Sequence, residues 1–143
     1  LIIGILAAVA LPKYEFAVEK SRSANAISVL RAIKDAEEVY YMANGEYTHD
    51  MDDLDIDVSL PEGFTLILME GGMEKVQAHR ESSSFNYDIV FGFDARSGSA
   101  NGTEIGGVSY CAALSSSAIS NRLCAGYGPM FWEGSGWKRY RIN

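Results

Sequence analysis

Five aspartates lie close together between residues 50 and 57, and their spacing is the first feature with possible metal chemistry. Asp53-x-Asp55-x-Asp57 matches the opening ligands of an EF-hand calcium loop. The match then fails, because Val58 stands where the loop needs glycine and Glu62 comes too early to be the closing ligand. We therefore expect a solvated acidic connection with no metal and no cofactor. The full run is Asp50, Asp52, Asp53, Asp55 and Asp57.

The two histidines give little support for catalysis. His49 falls in the polar connection, and His79 falls in a predicted strand beside Arg80. The chain has no HExxH, GxSxG, phosphate-loop or dinucleotide-binding glycine motif. We expect this protein not to be an enzyme, because no acid–base pair or activated nucleophile can be assembled from these residues.

The two cysteines, Cys111 and Cys124, lack the CxxC pairs of a zinc ribbon. The residues between them, AALSSSAISNRL, are small and polar. This composition favours a surface loop closed by a disulfide over two buried free thiols, and a disulfide indicates an oxidising compartment. Two short matches to glycosylation sites, at Asn101 and at Ser115 to Ser117, carry no prediction because such matches are usually accidental.

The length and the charge of the chain further limit the classes of protein to which it can belong. The 143 residues suit one domain, and 48% hydrophobic with 22% charged residues is an ordinary globular composition. The net charge of −7 comes from residues 45–143, because residues 1–44 carry five basic and five acidic side chains. Phosphate binding needs concentrated lysine and arginine, so an acidic body argues against nucleic acid as the main partner.

The chain begins with an apolar segment, residues 1–12, that ends at a proline. It is shorter than the roughly 20 residues that a membrane span needs, and it lacks the cleavage site of a signal peptide. Two interpretations stay open at this point, a buried core helix and the rear half of a longer apolar helix. The segment and the aromatic residue after it consist of Leu1, Ile2, Ile3, Gly4, Ile5, Leu6, Ala7, Ala8, Val9, Ala10, Leu11, Pro12 and Tyr14.

The residues after Pro12 have helical periodicity as far as Asn44-Gly45, a common helix stop. A helix from Pro12 to Asn44 would be about 50 Å long, so we expect its front end to protrude and to need a membrane or other subunits as cover. A thin early stripe (Tyr14, Ala17, Val18, Ser21, Ala24) offers little to bury. A full apolar stripe predicts the face that packs on the body, and its residues are Ala26, Val29, Leu30, Ile33, Ala36 and Tyr40.

The pattern of residues 63–143 predicts an antiparallel sheet. One long helix followed by such a sheet makes the fold class α+β. Strands are expected over residues 63–70, 76–80, 85–94, 108–114 and 136–143, with residues 108–114 as a shorter or edge strand. Residues 85, 87, 89, 91 and 93 are large and alternate, which indicates a strongly half-buried strand. The sheet is expected to pack on the second half of the helix.

The stretch GILAAVALPKYEFAVEKSRSANAISVLRAI resembles the N-terminal region of type IV pilins and of the related pseudopilins of type II secretion. The matching features are Gly4, the Ala-Ala-Val-Ala run, Pro12, the aromatic residue just after it, and the amphipathic helix rich in serine, arginine and alanine. The continuation YYMANGEYTHDMDDL is similar to the turn and acidic segment by which pilins leave this helix. The resemblance covers residues 1–55, and beyond them it rests on the cysteine pair, which resembles the disulfide-bounded loop of many pilins.

The resemblance implies a pilin fold and a structural role, as a subunit of a type IV pilus-like extracellular filament that serves adhesion or motility. The implied partners are copies of the chain itself, the inner membrane that holds the precursor before assembly, and the pilus assembly machinery. Residues 1–24 would be the protruding assembly half of the helix. Residues 25–143 would be the head, with helix at 25–44, a connection at 45–62 and the sheet at 63–143. In the family, a methylated first residue and an assembly glutamate precede the position of Leu1, so we expect the chain to be truncated relative to the family.

Gly4 and Pro12 are two weak points in the predicted helix. Proline removes a hydrogen bond and clashes with the carbonyl of Ala8, and glycine lowers helix stability by about 1 kcal/mol relative to alanine. The resemblance implies that bacterial pilins lose helix between two such positions in a filament. We therefore expect residues 4–12 to be bent or partly unwound in the assembled state, whereas a simple proline kink is the alternative.

Three alternatives to a major pilin stay open. A type II secretion pseudopilin would form a short periplasmic piston. A minor pilin or tip adhesin would use the Cys111–Cys124 loop as its contact surface. An enzyme anchored by the apolar segment would need a catalytic constellation, which the motifs do not supply.

Overall fold

The computed structural model describes residues 2–70, 72–93, 99–100, 103–104 and 107–143. It confirms the predicted α+β class, because one long helix, α1 (Ile2–Asn44), packs on a six-stranded antiparallel sheet. This arrangement is consistent with a pilin-like fold. Leu1 and Asn101, which the sequence singles out, lie outside the described residues.

Helix α1 runs without interruption through Pro12 for 43 residues, which corresponds to about 64 Å. It ends at the predicted stop, where Gly45 takes the left-handed conformation (φ 79°) and its N–H donates to the Tyr41 carbonyl at 2.8 Å. The segment between Gly4 and Pro12 is therefore helical in the single chain. The expected unwinding concerns the assembled state, so it stays a prediction.

The strands of the described residues are β1 (Phe64–Glu70), β2 (Met73–Glu81), β3 (Asn86–Gly92), β4 (Ser99–Ala100), β5 (Thr103–Glu104), β6 (Ser109–Leu114), β7 (Met130–Gly134) and β8 (Trp137–Arg141). The main sheet has the order β1-β2-β3-β6-β8-β7, and all of its neighbouring strands are antiparallel. A separate two-stranded ribbon joins β4 to β5. All five predicted strands are present. The strand predicted as shorter or at an edge is β6, which has six residues and lies inside the sheet, whereas β7 has no counterpart among the predicted strands.

The prediction of a surface loop between the two cysteines is wrong, because these residues contain a second helix, α2 (Ala118–Ala125). The Ser117 side chain caps it by accepting from the Ser120 N–H, and Leu123 is buried in the core. The predicted disulfide is present, and it joins Cys111 of β6 to Cys124 of α2. A bond that closes a loop of this size stabilises a protein by about 3 kcal/mol in the chain-entropy model.

The core lies between α1 and the sheet, as expected. Ala26, Leu30 and Ile33 of the predicted helix face are fully buried. Its other members, Val29, Ala36 and Tyr40, are half-buried and pack against the same core. From the sheet, the alternating side chains at 85, 87, 89, 91 and 93 all point into this core, which confirms the predicted inward face. The strand is more than half-buried, because Val90 on its other face is buried in a second cluster with Tyr110 and Ala112.

Candidate assembly surface and its anchor

The apolar segment is largely uncovered. Ile3 is 82% exposed, Ile5 is 70% exposed and Leu6 is 64% exposed. Tyr14, just beyond the segment, is exposed as well. Monomeric proteins rarely leave a contiguous apolar surface of this kind open to water, so the segment is the first candidate for a contact surface.

A groove of 640 Å³ runs between this segment and α2. Ala8, Val9 and Pro12 line one wall, and Ile119 and Arg122 contribute to the other. The apolar segment therefore continues into a concave surface on the head, which enlarges the area that a contacting helix could bury.

The contacts that anchor α1 to the sheet begin just behind the exposed part. Glu19 is only 2% exposed, and three hydrogen bonds satisfy its carboxylate. Arg80 donates from Nε to Oε1 at 2.8 Å and from Nη2 to Oε2 at 3.2 Å, and the Tyr87 hydroxyl donates to Oε1 at 2.8 Å. A bidentate arginine–carboxylate pair fixes the relative orientation of its two side chains as well as their distance, so it sets how α1 lies on the sheet.

Arg80 is itself held in place from several sides. Its Nη1 donates to the Gly63 carbonyl at 3.2 Å, and its guanidinium lies over the Phe64 ring at 5.7 Å. Gly63 has φ 86°, and a Cβ there would stand 2.5 Å from Nη1, so only glycine leaves room for this guanidinium. The hydrogen bond to Glu19 raises the pKa of Arg80, and burial raises the pKa of Tyr87, so both groups stay protonated as donors.

Two further contacts hold the same part of α1. The hydroxyl of Ser23, which is fully buried, is hydrogen-bonded to the Tyr127 hydroxyl. The Arg122 guanidinium of α2 lies over the Phe16 ring at 4.0 Å. Packing on the head therefore reaches back to Phe16, within the residues that the sequence assigned to the protruding half.

The sequence missed this anchor. The thin stripe that it offered is mostly exposed, including Ala17, Ser21 and Ala24, and the buried face of this part of the helix is polar. A signal was present, because Glu19 lies seven residues before Ala26 and thus on the same helix face. A charged residue that continues the core-facing stripe of a helix toward its N-terminus indicates a buried ion pair. The sequence alone does not identify Arg80 as the partner of Glu19.

A second buried carboxylate, Glu37, lies near the other end of α1. It is fully buried, its Oε2 accepts from the Thr48 N–H at 3.1 Å, and its Oε1 has no hydrogen-bond partner among the described residues. Burial raises its pKa from 4.5 to about 7, the Thr48 hydrogen bond opposes this shift, and the charges of Glu38 and Asp53 add to it.

Glu37 is expected to make the protein less stable as the pH rises. Since its pKa in the folded chain is above that in the unfolded chain, the folded state binds more protons between pH 4.5 and about 7, and its stability falls over that window. Glu37→Gln should therefore be more stable than the parent at pH 8, by up to about 3 kcal/mol, and similar to it near pH 4.5. Urea unfolding at both pH values measures the difference. Glu38→Gln removes the same charge one residue away, and an equal gain from it at pH 8 would contradict the role of Glu37.

The remaining chemical groups lie elsewhere on the head. His79 Nδ1 is 2.6 Å from Asp88 Oδ1 on the sheet face away from α1, and burial raises the pKa of Asp88. Lys138 lies 3.4 Å from Glu133, whereas Arg139 stacks on Trp132 at 4.1 Å. No three histidine, cysteine, aspartate or glutamate side chains of the described residues come together as a metal site.

No family model matches this chain, and neither a curated protein nor a solved structure does. In the part of the chain that the structure describes, no helix combines the length and the hydropathy needed to cross a bilayer.

Proposed function

We propose that this protein is a structural subunit of a type IV pilus-like extracellular filament and that it polymerises through its N-terminal helix. The observation that carries the proposal is the contrast within α1. Its first turns expose isoleucine and leucine to water, whereas the same helix is fixed to the head from Phe16 onward, first by Arg122 of α2 and then by Arg80 of the sheet. A rigid helix with an uncovered apolar end suits packing against copies of itself.

The polymer follows if the contact is heterologous and does not close into a ring. In the proposed cycle, the inner membrane holds the precursor and the pilus assembly machinery moves it into the filament. The apolar segment then exchanges lipid for neighbouring subunits. No catalytic role forms part of the proposal.

Shearing the producing cells tests the proposal. Antibodies raised against residues 63–143 should detect the protein in the sheared fraction, and electron microscopy should show label along the whole length of thin filaments. Deleting the gene should remove both signals. Label that stays in the cell envelope would favour a secretion pseudopilin, label only at filament ends would favour a tip subunit, and a soluble protein without filaments would overturn the proposal.

A further inference from the structure

The groove between the apolar segment and α2 carries positive charge beside its apolar lining. The apolar lining includes Val9 and Ile119, and the charged residues that line the groove are Lys13 and Arg122. Along α1 the charge follows the apolar part, because Lys13 comes directly after Pro12 and the apolar segment lies on its N-terminal side. A groove with an apolar wall and a cationic end matches an amphiphile that has a negatively charged head group.

The two cations are brought together at the Phe16 ring. The Arg122 guanidinium lies over this ring at 4.0 Å, and Lys13 precedes Phe16 by three residues, which places both on one side of α1. Stacking engages the flat face of the guanidinium, so the N–H groups at its edge can donate two parallel hydrogen bonds to a phosphate. The lysine ammonium adds a second charge on a flexible stem.

No carboxylate of the described residues neutralises these two cations, since neither Lys13 nor Arg122 forms an ion pair there. Glu15, the acidic residue nearest to Lys13 in the sequence, lines a different depression together with Arg22. The chain as a whole carries −7, yet residues 105–132 contain no acidic residue and have Arg122 as their only charged one. The groove is therefore a locally positive site on an acidic protein, which favours an anionic ligand.

The length of the apolar segment indicates which anionic amphiphile fits. Residues 2–11 of α1 rise by about 15 Å, which is half of the roughly 30 Å hydrocarbon thickness of a bilayer and thus one leaflet. With these residues among acyl chains, Lys13 stands at the level of the lipid head groups. The apolar segment of a second copy carries no charge, so in this groove it would leave both cations unpaired.

We propose that the groove binds one anionic phospholipid, with the lipid phosphate between Lys13 and Arg122 and an acyl chain along the apolar wall. This inference rests on the membrane stage of the proposed function and names the lipid class that the precursor recognises. Because Lys13 belongs to the protruding part of α1 and Arg122 belongs to the head, the bound lipid sets both the depth of the helix in the membrane and the orientation of the head on it.

Vesicle flotation of the full chain tests the site. Vesicles of phosphatidylcholine mixed equally with phosphatidylglycerol should bind the protein more tightly than vesicles of phosphatidylcholine alone, and added salt should reduce the difference because it screens exposed charges. A phosphatidylglycerol with a photoreactive head group should cross-link to the peptide that contains residues 118–122. Excess inorganic phosphate at constant ionic strength should not release the protein, because free phosphate lacks an acyl chain.

Matched variants make the test specific. Lys13→Gln/Arg122→Gln should weaken binding to the anionic vesicles about 10- to 30-fold and leave binding to the neutral vesicles unchanged. Lys20→Gln/Arg31→Gln removes the same charge from exposed positions of α1 outside the groove, so it should weaken binding less than about threefold. Ala118→Glu places a carboxylate four residues before Arg122, at a helix start where acidic residues are favourable, and should weaken binding about 10-fold without removing a cation. Circular dichroism should show that all three variants remain folded.

Three results would overturn the site. These are equal binding to neutral and anionic vesicles, equal losses in the two double-glutamine variants, and lipid-free self-association that Lys13→Gln/Arg122→Gln abolishes, which would assign the groove to a second copy. Filaments in cells are a separate measurement. Intact filaments without lipid selectivity would contradict this site alone, whereas lipid selectivity without filaments would contradict the proposed function alone.

Discussion

Replacing Arg80 with methionine is expected to lower the free energy of unfolding by about 3–5 kcal/mol at pH 7. The substitution leaves the 2%-exposed Glu19 carboxylate with the Tyr87 hydroxyl alone and removes both of its bonds to the guanidinium. A buried charge that loses its partner is one of the few defects large enough to threaten a small domain. Urea unfolding followed by circular dichroism measures the change.

A matched control separates this ion pair from arginine loss in general. Arg122 also contacts α1, through Phe16, but it is exposed, so Arg122→Met should lower the stability by only about 0.5–1 kcal/mol. The double variant Glu19→Gln/Arg80→Met should recover part of the loss, because it removes the buried charge together with its partner. Equal effects of Arg80→Met and Arg122→Met, or no recovery in the double variant, would show that the pair does not anchor the helix.

Leu6→Lys is expected to abolish filaments while leaving the folded head unchanged. Leu6 is 64% exposed and does not belong to the core clusters of the described residues, so the monomer should keep its unfolding midpoint. In a filament packed through the apolar segment, the ammonium group of the new lysine would be buried without a partner. Burying it costs on the order of several kcal/mol. That penalty raises the concentration needed for assembly by more than about 100-fold. The amount of protein in the sheared fraction measures the loss of filaments.

Val39→Lys is the matched control for this prediction. Val39 lies on the same helix and is 61% exposed, but it is far along α1 from the apolar segment. Filaments should persist in this variant. Filaments that survive Leu6→Lys, or that disappear equally in both variants, would contradict assembly through the apolar segment.

The sequence predicted the parts of the fold that depend on local patterns. The stripe from Ala26 to Tyr40 has the helical period, and residues 85–93 have the strand period, so each reveals its buried face without knowledge of its neighbour. Asn44-Gly45 supplies a stop that needs no tertiary context. Cys111 and Cys124 were the only possible pair for an intrachain disulfide.

The features that were missed depend on contacts between distant residues. The serines and the asparagine between the cysteines have weak helix propensity, yet Ser117 caps α2 and packing of Leu123 holds it. The partners of Glu19 and Glu37, such as Arg80 and Thr48, come from elsewhere in the chain, so the sequence alone does not show which groups compensate these two carboxylates. The groove between the apolar segment and α2 likewise depends on two helices that meet only in the fold.

The binding of the Glu19 carboxylate by both Arg80 and Tyr87 has a mechanical consequence. Arg80 and Tyr87 stand opposite each other in the register of β2 and β3, so tension along α1 enters two hydrogen-bonded strands at the same level. The load is shared rather than applied to one strand that could peel away. If chains are pulled by the helix, Glu19 is then among the first contacts between helix and head to carry the force, together with Phe16 and Ser23.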